Sequence, residues 1–499
     1  MSDSASAFVS TGNAGLDLIL TGGLPASRLY LLHGAPGTGK TTLALEFLLE
    51  GVRRGESVLY VTLTETRDEL AVVACSHGWD IENVHVFELE SAAEVLGRGT
   101  DQSILRPWEM ELSDTVRLIK AEVERVQPQR VVFDSLSEMR LLAQDPLRYR
   151  RHVLALKQFF AGRETTVVLV DDLSAGNSGA DANLHSLCHG VITLERLTVD
   201  FGATRGRVQV QKLRGVDFLG GYHDLAIRKG GLVIWPRLIA ASHQVQFSGE
   251  TTPSGVAELD QLLGGGPLRG TSVLVTGPAG SGKTTIALQY VDAACRRGEA
   301  CTIYEFDERI GTLMARAKAF NLALEQHVKD GLLLIELIDP AELCAGEFAW
   351  RVCQQVADRH ARVIVIDSLN GYMAAMPQEQ QLILQMHQLL SYLSQQGVVT
   401  FLIDPQHGLV GTMSTGVNVS YVVDAVLLLR FFEVGGRVRK AISVLKNRGG
   451  VHGDSMRELH IDAHGLRLGV ALPGFKSALT TTPEYIGNSD ALMESRDHA

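Results

Sequence analysis

Two nine-residue segments carry the densest chemistry in the chain: 34–42 reads GAPGTGKTT and 277–285 reads GPAGSGKTT. Both fit the pattern G-x-x-x-x-G-K-[ST] of a phosphate-cradling loop. Their glycines, Gly34, Gly37 and Gly39 in one copy and Gly277, Gly280 and Gly282 in the other, let consecutive backbone N–H groups converge on an anion. Lys40 and Lys283 are the cations expected at the terminal phosphates of ATP, and Thr41 and Thr284 the hydroxyl ligands of Mg2+. Thr38, Thr42, Ser281 and Thr285 complete the expected ATP-binding sets. Each segment follows a strand-like run and opens a helix-like one, the context the pattern requires.

A nucleotide site of this kind needs an acid at the end of a buried strand to hold magnesium through its water shell. Asp134, closing VVFD, and Asp367, closing VIVID, are the candidates. Hydrolysis needs a further group to orient or deprotonate water. Glu65 in the first copy and Asp307 with Glu308 in the second lie just after the strand that follows each phosphate-loop helix. Glu65 has a second reading, because Thr66-x-x-Glu69 has the form of a helix capping box, which would place Glu65 merely ahead of a surface helix. Lys212-Leu213-Arg214 and Lys446-Asn447-Arg448 end late strands and run into glycine. Such basic pairs are either solvated surface charge or groups reaching a neighbouring subunit's phosphate.

The elements that must position these residues come in duplicate. At a spacing of 243, Asp17 matches Asp260, Gly22-Gly23 matches Gly265-Gly266, and Arg53-Arg54-Gly55-Glu56 matches Arg296-Arg297-Gly298-Glu299. Further on the spacing falls to 233 or 234, pairing Asp134-Ser135 with Asp367-Ser368 and Lys212 with Lys446. This is a duplicated globular domain, not a solenoid of short units. Short β-branched runs at 29–33, 57–63, 131–134 and 166–170 alternate with helical patterns such as 40–54, as in a mainly parallel sheet flanked by helices. The runs 191–195, 207–212 and 226–235 follow without helices between them and predict an antiparallel ending. The expected fold is α/β, with tandem RecA-like P-loop NTPase domains at 1–240 and 241–475 and a flexible polar tail at 476–499.

A net charge of -11 gives no reason to expect a nucleic-acid partner, because that binding rests on Lys and Arg neutralising phosphates. The six cysteines include no C-x-x-C pair and predict buried free thiols. No basic leader and no apolar run of about 18 residues is present, so a cytoplasmic protein with no membrane association is expected.

Taken together these residues resemble the KaiC family of double-domain ATPases, known from the circadian clock, from Thr11-Gly12 to about Phe475. The features that carry the likeness are Gly15-Leu16-Asp17 and Gly255 through Leu259-Asp260, the Gly-Gly pairs, both P-loops, the post-strand acids, Lys212 to Gly215, and the segment 424–449. The resemblance implies a homohexameric double ring with ATP at subunit interfaces, where Lys212, Arg214, Lys446 and Arg448 sense phosphate across the interface. It also implies ATP hydrolysis, serine/threonine autokinase activity and a signalling or timing role, with a signalling protein as partner. The family's acid pair reads Thr64-Glu65 in the first copy and Asp307-Glu308 in the second, so more turnover is expected from the second. Its neighbouring Ser-Thr phosphoacceptors read Ser420-Tyr421, with Thr415 nearby, which makes Ser420 the acceptor in this chain. A RecA-like nucleic-acid motor or recombinase is the contrasting reading, opposed by the absence of Lys and Arg from 174–186 and 408–419. A nucleotide-dependent scaffold without turnover is the third.

Overall fold

The computed structural model describes residues 7–89, 112–143, 145–172, 184–198, 202–239, 249–374, 379–406, 421–434, 436–450, 452–472, 474–476, 484–487 and 492–493. Contacts divide the chain into two units, Met1–Arg237 and Leu238–Ala499.

The first unit begins with β1 (Phe8–Val9), α1 (Ala14–Ile19) and β2 (Leu24–Pro25), and then runs into β3 (Leu29–Gly34) and α2 (Lys40–Arg53). It continues through β4 (Val58–Thr62), α3 (Arg67–Ser76), β5 (His85–Glu88), α4 (Leu112–Val126), β6 (Arg130–Asp134), α5 (Leu136–Ala143), α6 (Pro146–Phe160) and β7 (Thr166–Asp172). Four strands, β8 (Gly190–Leu197), β9 (Arg205–Leu213), β10 (Tyr222–Arg228) and β11 (Gly231–Trp235), close it. Its nine-stranded sheet has the order β11-β10-β9-β8-β3-β7-β6-β4-β5. The strands from β8 through β5 pair in parallel and those from β8 through β11 antiparallel.

The central strands are buried on both faces, which is why they read as continuous apolar runs. Alternation then divides the side chains: Tyr30, Leu32 and Val132 join one core with the phosphate-loop helix, while Leu29, Leu31, Val131 and Phe133 join the other with α4 to α6. The repeated Asp17 and Asp260 have a structural use. Asp17 accepts from Thr11 N at 2.8 Å and Asp260 from Ser254 N at 2.7 Å, each tying the entry loop to the first short helix.

The second unit repeats the plan with α7 (Ala257–Leu262), β12 (Ser272–Gly277), α8 (Lys283–Arg296), β13 (Cys301–Glu305), α9 (Ile310–Ala319), α10 (Leu324–Lys329) and β14 (Leu333–Leu337). It continues with α11 (Ala345–Arg359), β15 (Val363–Asp367), α12 (Leu369–Ala374), α13 (Glu379–Gln395) and β16 (Val399–Pro405). The closing strands are β17 (Ala425–Val434), β18 (Arg437–Asn447), β19 (Arg457–Asp462) and β20 (Gly465–Ala471), with short β21 (Phe475–Lys476) and β22 (Glu484–Tyr485). The main path, β14-β13-β15-β16-β12-β17-β18-β19-β20, has the same form as the first.

Two expectations need correction. Part of the segment 476–499, read as a loose polar tail, is packed: β22 pairs with β17, Tyr485 is buried against Phe432, Ala441 and Leu472, and Met493 N donates to Glu458 at 2.8 Å. One aromatic ring among polar residues was enough to anchor it. Cys75 is exposed on α3, whereas Cys188, Cys295, Cys301 and Cys344 are buried free thiols as expected. Among the described residues, no helix is long and apolar enough to cross a membrane.

Candidate functional site

Each phosphate loop joins the C-terminal end of a central strand to a long helix, and the local geometry demands glycine. Gly39 and Gly282 precede the helices at φ 97° and 106°, where L side chains are strained. A Cβ on Gly282 would also fall 2.4 Å from Ile461 Cδ1. Gly34 and Gly277 lie so close to the neighbouring strand that a Cβ would meet the carbonyl oxygens of Leu194 and Leu429 at 2.5 Å. Neither helix start has a side-chain cap, so the first-turn N–H groups are directed at whatever anion the loop encloses. Thr38 Oγ1 donates to Ala35 O at 2.8 Å, while the buried Ser281 Oγ has no hydrogen-bond partner among the described residues. Beside Gly37 and Thr38 a cleft of about 230 Å³ is lined by Arg196, Thr204 and Ile227.

The lysines are buried and tethered inward. Lys40 Nζ donates to Ala35 O at 2.9 Å and pairs with Asp172 at 2.7 Å. Lys283 Nζ donates to Gly277 O and Pro278 O, both at 2.9 Å, and burial pushes its pKa down. Thr41 Oγ1 donates to Asp134 at 3.1 Å and Thr284 Oγ1 to Asp367 at 2.5 Å, while Thr42 and Thr285 are buried behind them. The two expected magnesium ligands of each copy, more than eighty residues apart in the chain, are thus brought together. Burial raises the pKa of both aspartates, opposed at Asp134 by hydrogen bonds from Tyr60 and Thr41 and at Asp367 by the one from Thr284. A buried carboxylate of this kind is favoured in its charged form by a nearby cation, so the donor set fits magnesium. Among the described residues no group of three or more His, Cys, Asp or Glu could hold a metal alone. That suits an ion that keeps most of its waters and leans on substrate phosphates.

Glu65 directly precedes the capping box expected at Thr66 and Glu69. The capping box forms, with Thr66 accepting from Glu69 N and Glu69 accepting from Thr66 N at 2.7 Å. Thr62 Oγ1 meanwhile accepts from Glu65 N at 2.9 Å and donates to Glu65 O at 2.8 Å, pinning the backbone. The side chain is half-buried, with Oε2 unpartnered among the described residues; burial, then Asp134 and Glu69, raise its pKa. In the second copy the acids are engaged: Asp307 accepts from Ser368 Oγ and Glu308 pairs with Arg316 at 2.6 Å.

The basic pairs lie at the other end of the sheet from their own phosphate loops. Lys212 faces Val191, which faces Leu31, three residues before Gly34; Lys446 faces Val426, which faces Leu274, three residues before Gly277. At about 3.3 Å per residue their backbones are about 10 Å below the loops. Lys212 donates to His185 O at 2.5 Å and Cys188 O at 2.8 Å, and Lys446 to Val423 O at 2.5 Å. Arg214 and Arg448 donate to Ser186 O at 3.1 Å and Tyr421 O at 3.2 Å. Burial lowers the pKa of both lysines, with the adjacent arginine adding to it. Ser420 and most of both expected DNA-contact loops lie outside the described residues.

Three groups at the sites were not anticipated from sequence. Tyr60 donates to Asp134 at 2.6 Å. Asp172 ends β7 beside Gly34. Glu305 ends β13 level with Asp367, buried, with Oε1 unpartnered among the described residues and its pKa pushed up to about 9, chiefly by burial and then by Asp367 and Glu308. The strand endings LVDD and IYEFDE held the signal for the two acids.

Comparison with known proteins agrees with this architecture. The family model described as ATPase: KaiC matches residues 9–239 and again 252–471. Circadian clock protein KaiC3 of Synechocystis sp. (strain ATCC 27184 / PCC 6803 / Kazusa) is 27% identical over 489 residues, covering 96% of this chain and 95% of the relative. The circadian clock oscillator protein KaiC of Acaryochloris marina is 26% identical, over 97% of this chain and 92% of its own. Duplicated phosphate loops, the Thr–Asp pairs beside them and two family matches that span most of the sequence lead to one assignment: this chain belongs to the KaiC ATPase family.

Proposed function

We propose that the chain is a cytoplasmic ring ATPase that binds MgATP once in each domain, 1–240 and 241–475, and uses its hydrolysis as a signalling or timing switch. The observation that carries this reading is the repeated conjunction of an uncapped helix start, a buried lysine and a Thr–Asp pair at 3.1 Å and 2.5 Å. Backbone N–H groups of 34–42 and 277–285 bind the phosphates, and Lys40 and Lys283 neutralise their charge. Thr41 with Asp134, and Thr284 with Asp367, hold magnesium, which screens the phosphate oxygens when bound. Glu65, and in the second domain Asp307 with Glu308, orient the attacking water and accept its proton. Because Lys212, Arg214, Lys446 and Arg448 point away from their own loops, they serve a neighbour's nucleotide in a homohexamer, and Ser420 is the acceptor of any autophosphorylation.

Lys40→Ala and Lys283→Ala should each abolish nucleotide binding at one site, halving the bound stoichiometry, and the double variant should release no phosphate from ATP. Full turnover in the double variant would refute the reading. A second reading applies to the second domain alone. The engagement of Asp307 by Ser368 and of Glu308 by Arg316 suits a site that holds ATP as an assembly scaffold. Phosphate release measured against bound nucleotide in Lys40→Ala separates the two.

A further inference from the structure

The two phosphate loops match residue for residue in their glycines, lysine and threonines, yet the lysines differ in one contact. Lys40 Nζ is held by the carboxylate of Asp172 at 2.7 Å as well as by Ala35 O at 2.9 Å. Lys283 Nζ has only the carbonyls of Gly277 and Pro278 as hydrogen-bond acceptors among the described residues. The cause lies one strand away. Asp172 and Pro405 occupy equivalent places, the last residue of the strand between the phosphate-loop strand and the magnesium-acid strand, in register with Gly34 and Gly277 respectively. The first domain therefore carries a negative charge where the second has a side chain with none.

We propose that Asp172 sets the nucleotide preference of the first site, weakening ATP relative to ADP by placing a negative charge against the lysine that the terminal phosphate needs. This rests on the reading of the loops as nucleotide sites. An ammonium group has three N–H donors. In Lys40 one goes to Ala35 O and one to Asp172, and in Lys283 two go to carbonyls, so each leaves one for phosphate and the sites differ in the charge of the acceptor. The carboxylate is 2.7 Å from that ammonium, so any phosphate oxygen that Lys40 reaches lies within roughly 5 Å of a second negative charge. The repulsion falls most heavily on the γ-phosphate, because it adds charge at the end of the chain that the lysine serves, while ADP lacks that group. Asp172 is partly exposed, so solvent and salt screen the effect without removing it. At the second site Asp367 and Asp404 act on Lys283 without pairing directly with it, and ATP is the preferred ligand. The asymmetry divides the work: a first site inclined to release ATP or retain its product, and a second inclined to stay charged.

The test is direct binding of ATP and ADP to the full-length chain, with and without magnesium, by calorimetry. In a Lys283→Ala background only the first site reports. Asp172→Asn should tighten ATP by about tenfold or more, with ADP changed by less than about threefold, so the ratio of the two dissociation constants moves. The tightening should shrink at high salt. Reciprocally, Pro405→Asp in a Lys40→Ala background should weaken ATP at the second site by a similar factor, which keeps the idea testable if Asp172→Asn folds poorly. Equal changes for ATP and ADP, or weaker MgATP binding in Asp172→Asn, would overturn the proposal, the latter by showing that Asp172 helps to hold the metal. Loss of all nucleotide binding by both wild-type sites would instead defeat the underlying assignment.

Discussion

Glu46 lies on the helix that starts with Lys40, and replacing it with glutamine should change how the stability of the first domain depends on pH. Its side chain is buried, accepting from Leu232 N at 2.7 Å and from Asn13 Nδ2 at 3.1 Å, and so ties the phosphate-loop helix to both ends of the domain. Burial is the largest influence and raises its pKa from an ordinary 4.5 to about 7, against the two hydrogen bonds and Arg53. Folding therefore favours the protonated form. The stability this contributes is fully present below pH 4.5 and is lost as the pH climbs to about 7, above which the deficit stays constant. At about 1.36 kcal/mol for each pKa step, the full deficit is about 3 kcal/mol, of which about 2.5 kcal/mol develops between pH 5 and pH 8. In Glu46→Gln the uncharged amide keeps an acceptor for Leu232 but turns a donor toward Asn13, a cost of about 1–3 kcal/mol that does not vary with pH. The informative quantity is thus the slope, not the absolute stability. A Trp350→Phe background confines tryptophan to the first unit, where Trp79 lies beside Glu46 across Gly231, so denaturant titration followed by fluorescence reports on that unit. Wild type should lose about 2.5 kcal/mol relative to Glu46→Gln from pH 5 to pH 8. Parallel curves would show that the carboxylate is not strained by its burial, and would refute the reasoning. The second domain supplies a natural control, since Gln289 stands at the matching place and donates to Ser254 O at 3.0 Å.

Other outcomes follow from the same geometry. Glu65→Gln in a Lys283→Ala background should cut phosphate release by roughly 10²–10⁴-fold with nucleotide still bound, as loss of a general base does; unchanged turnover would leave Glu65 as a helix-flanking residue only. Lys446→Ala with Arg448→Ala should weaken ATP-dependent assembly, read by light scattering, because assembly is linked to nucleotide by mass action; undiminished hexamer, or a wild-type monomer with saturating MgATP, would remove the case for groups acting across an interface. Phosphopeptide mapping after incubation with MgATP should find phosphate on Ser420, and its absence would leave an ATPase without that switch.

Much of this was open to reading because the informative residues are close together in the chain or duplicated. The phosphate loops are local, and Gly34 and Gly277 lie so close to the next strand that a Cβ would meet a carbonyl oxygen at 2.5 Å. Asp134 and Asp367 stood out because they recur at matched positions after two phosphate loops, whereas a single strand-ending Asp is as often a turn or N-cap residue. The antiparallel ending showed itself through consecutive strands with no room for a crossover helix. What escaped depended on the order of strands. Asp172 was visible as a strand-ending acid, but only the placement of β7 between β3 and β6 brings it to Lys40, 132 residues earlier. The capping box at Thr66 and Glu69 was legible in the sequence, but the two hydrogen bonds by which Thr62 holds the Glu65 backbone were not. The tail failed for a similar reason: its polar composition concealed one tyrosine that finds a place against Phe432.

The acids of the two sites also show how a duplicated site diverges without losing its charge balance. In the second domain Glu305 stands where the first has Thr62, adding a buried carboxylate level with Asp367. Left alone, a second acid at that depth would cost several kcal/mol or remain neutral. Burial, then Asp367 and Glu308, push the pKa of Glu305 up, and Arg316 pulls in the opposite direction. Arg316 has its own counterpart in Val73, at the same turn of the matching helix. The first domain balances the reverse change, since it lacks both Glu305 and Asp307 and places its extra acid at Asp172, against the lysine. In the second domain the added acids Glu305 and Asp307 lie beside Asp367 and Ser368, and in the first the added acid Asp172 lies against Lys40. Loops of one sequence pattern thus stand in different electrostatic surroundings, and the difference is set by strand-end residues outside the loops, Asp172 against Pro405 and Thr62 against Glu305.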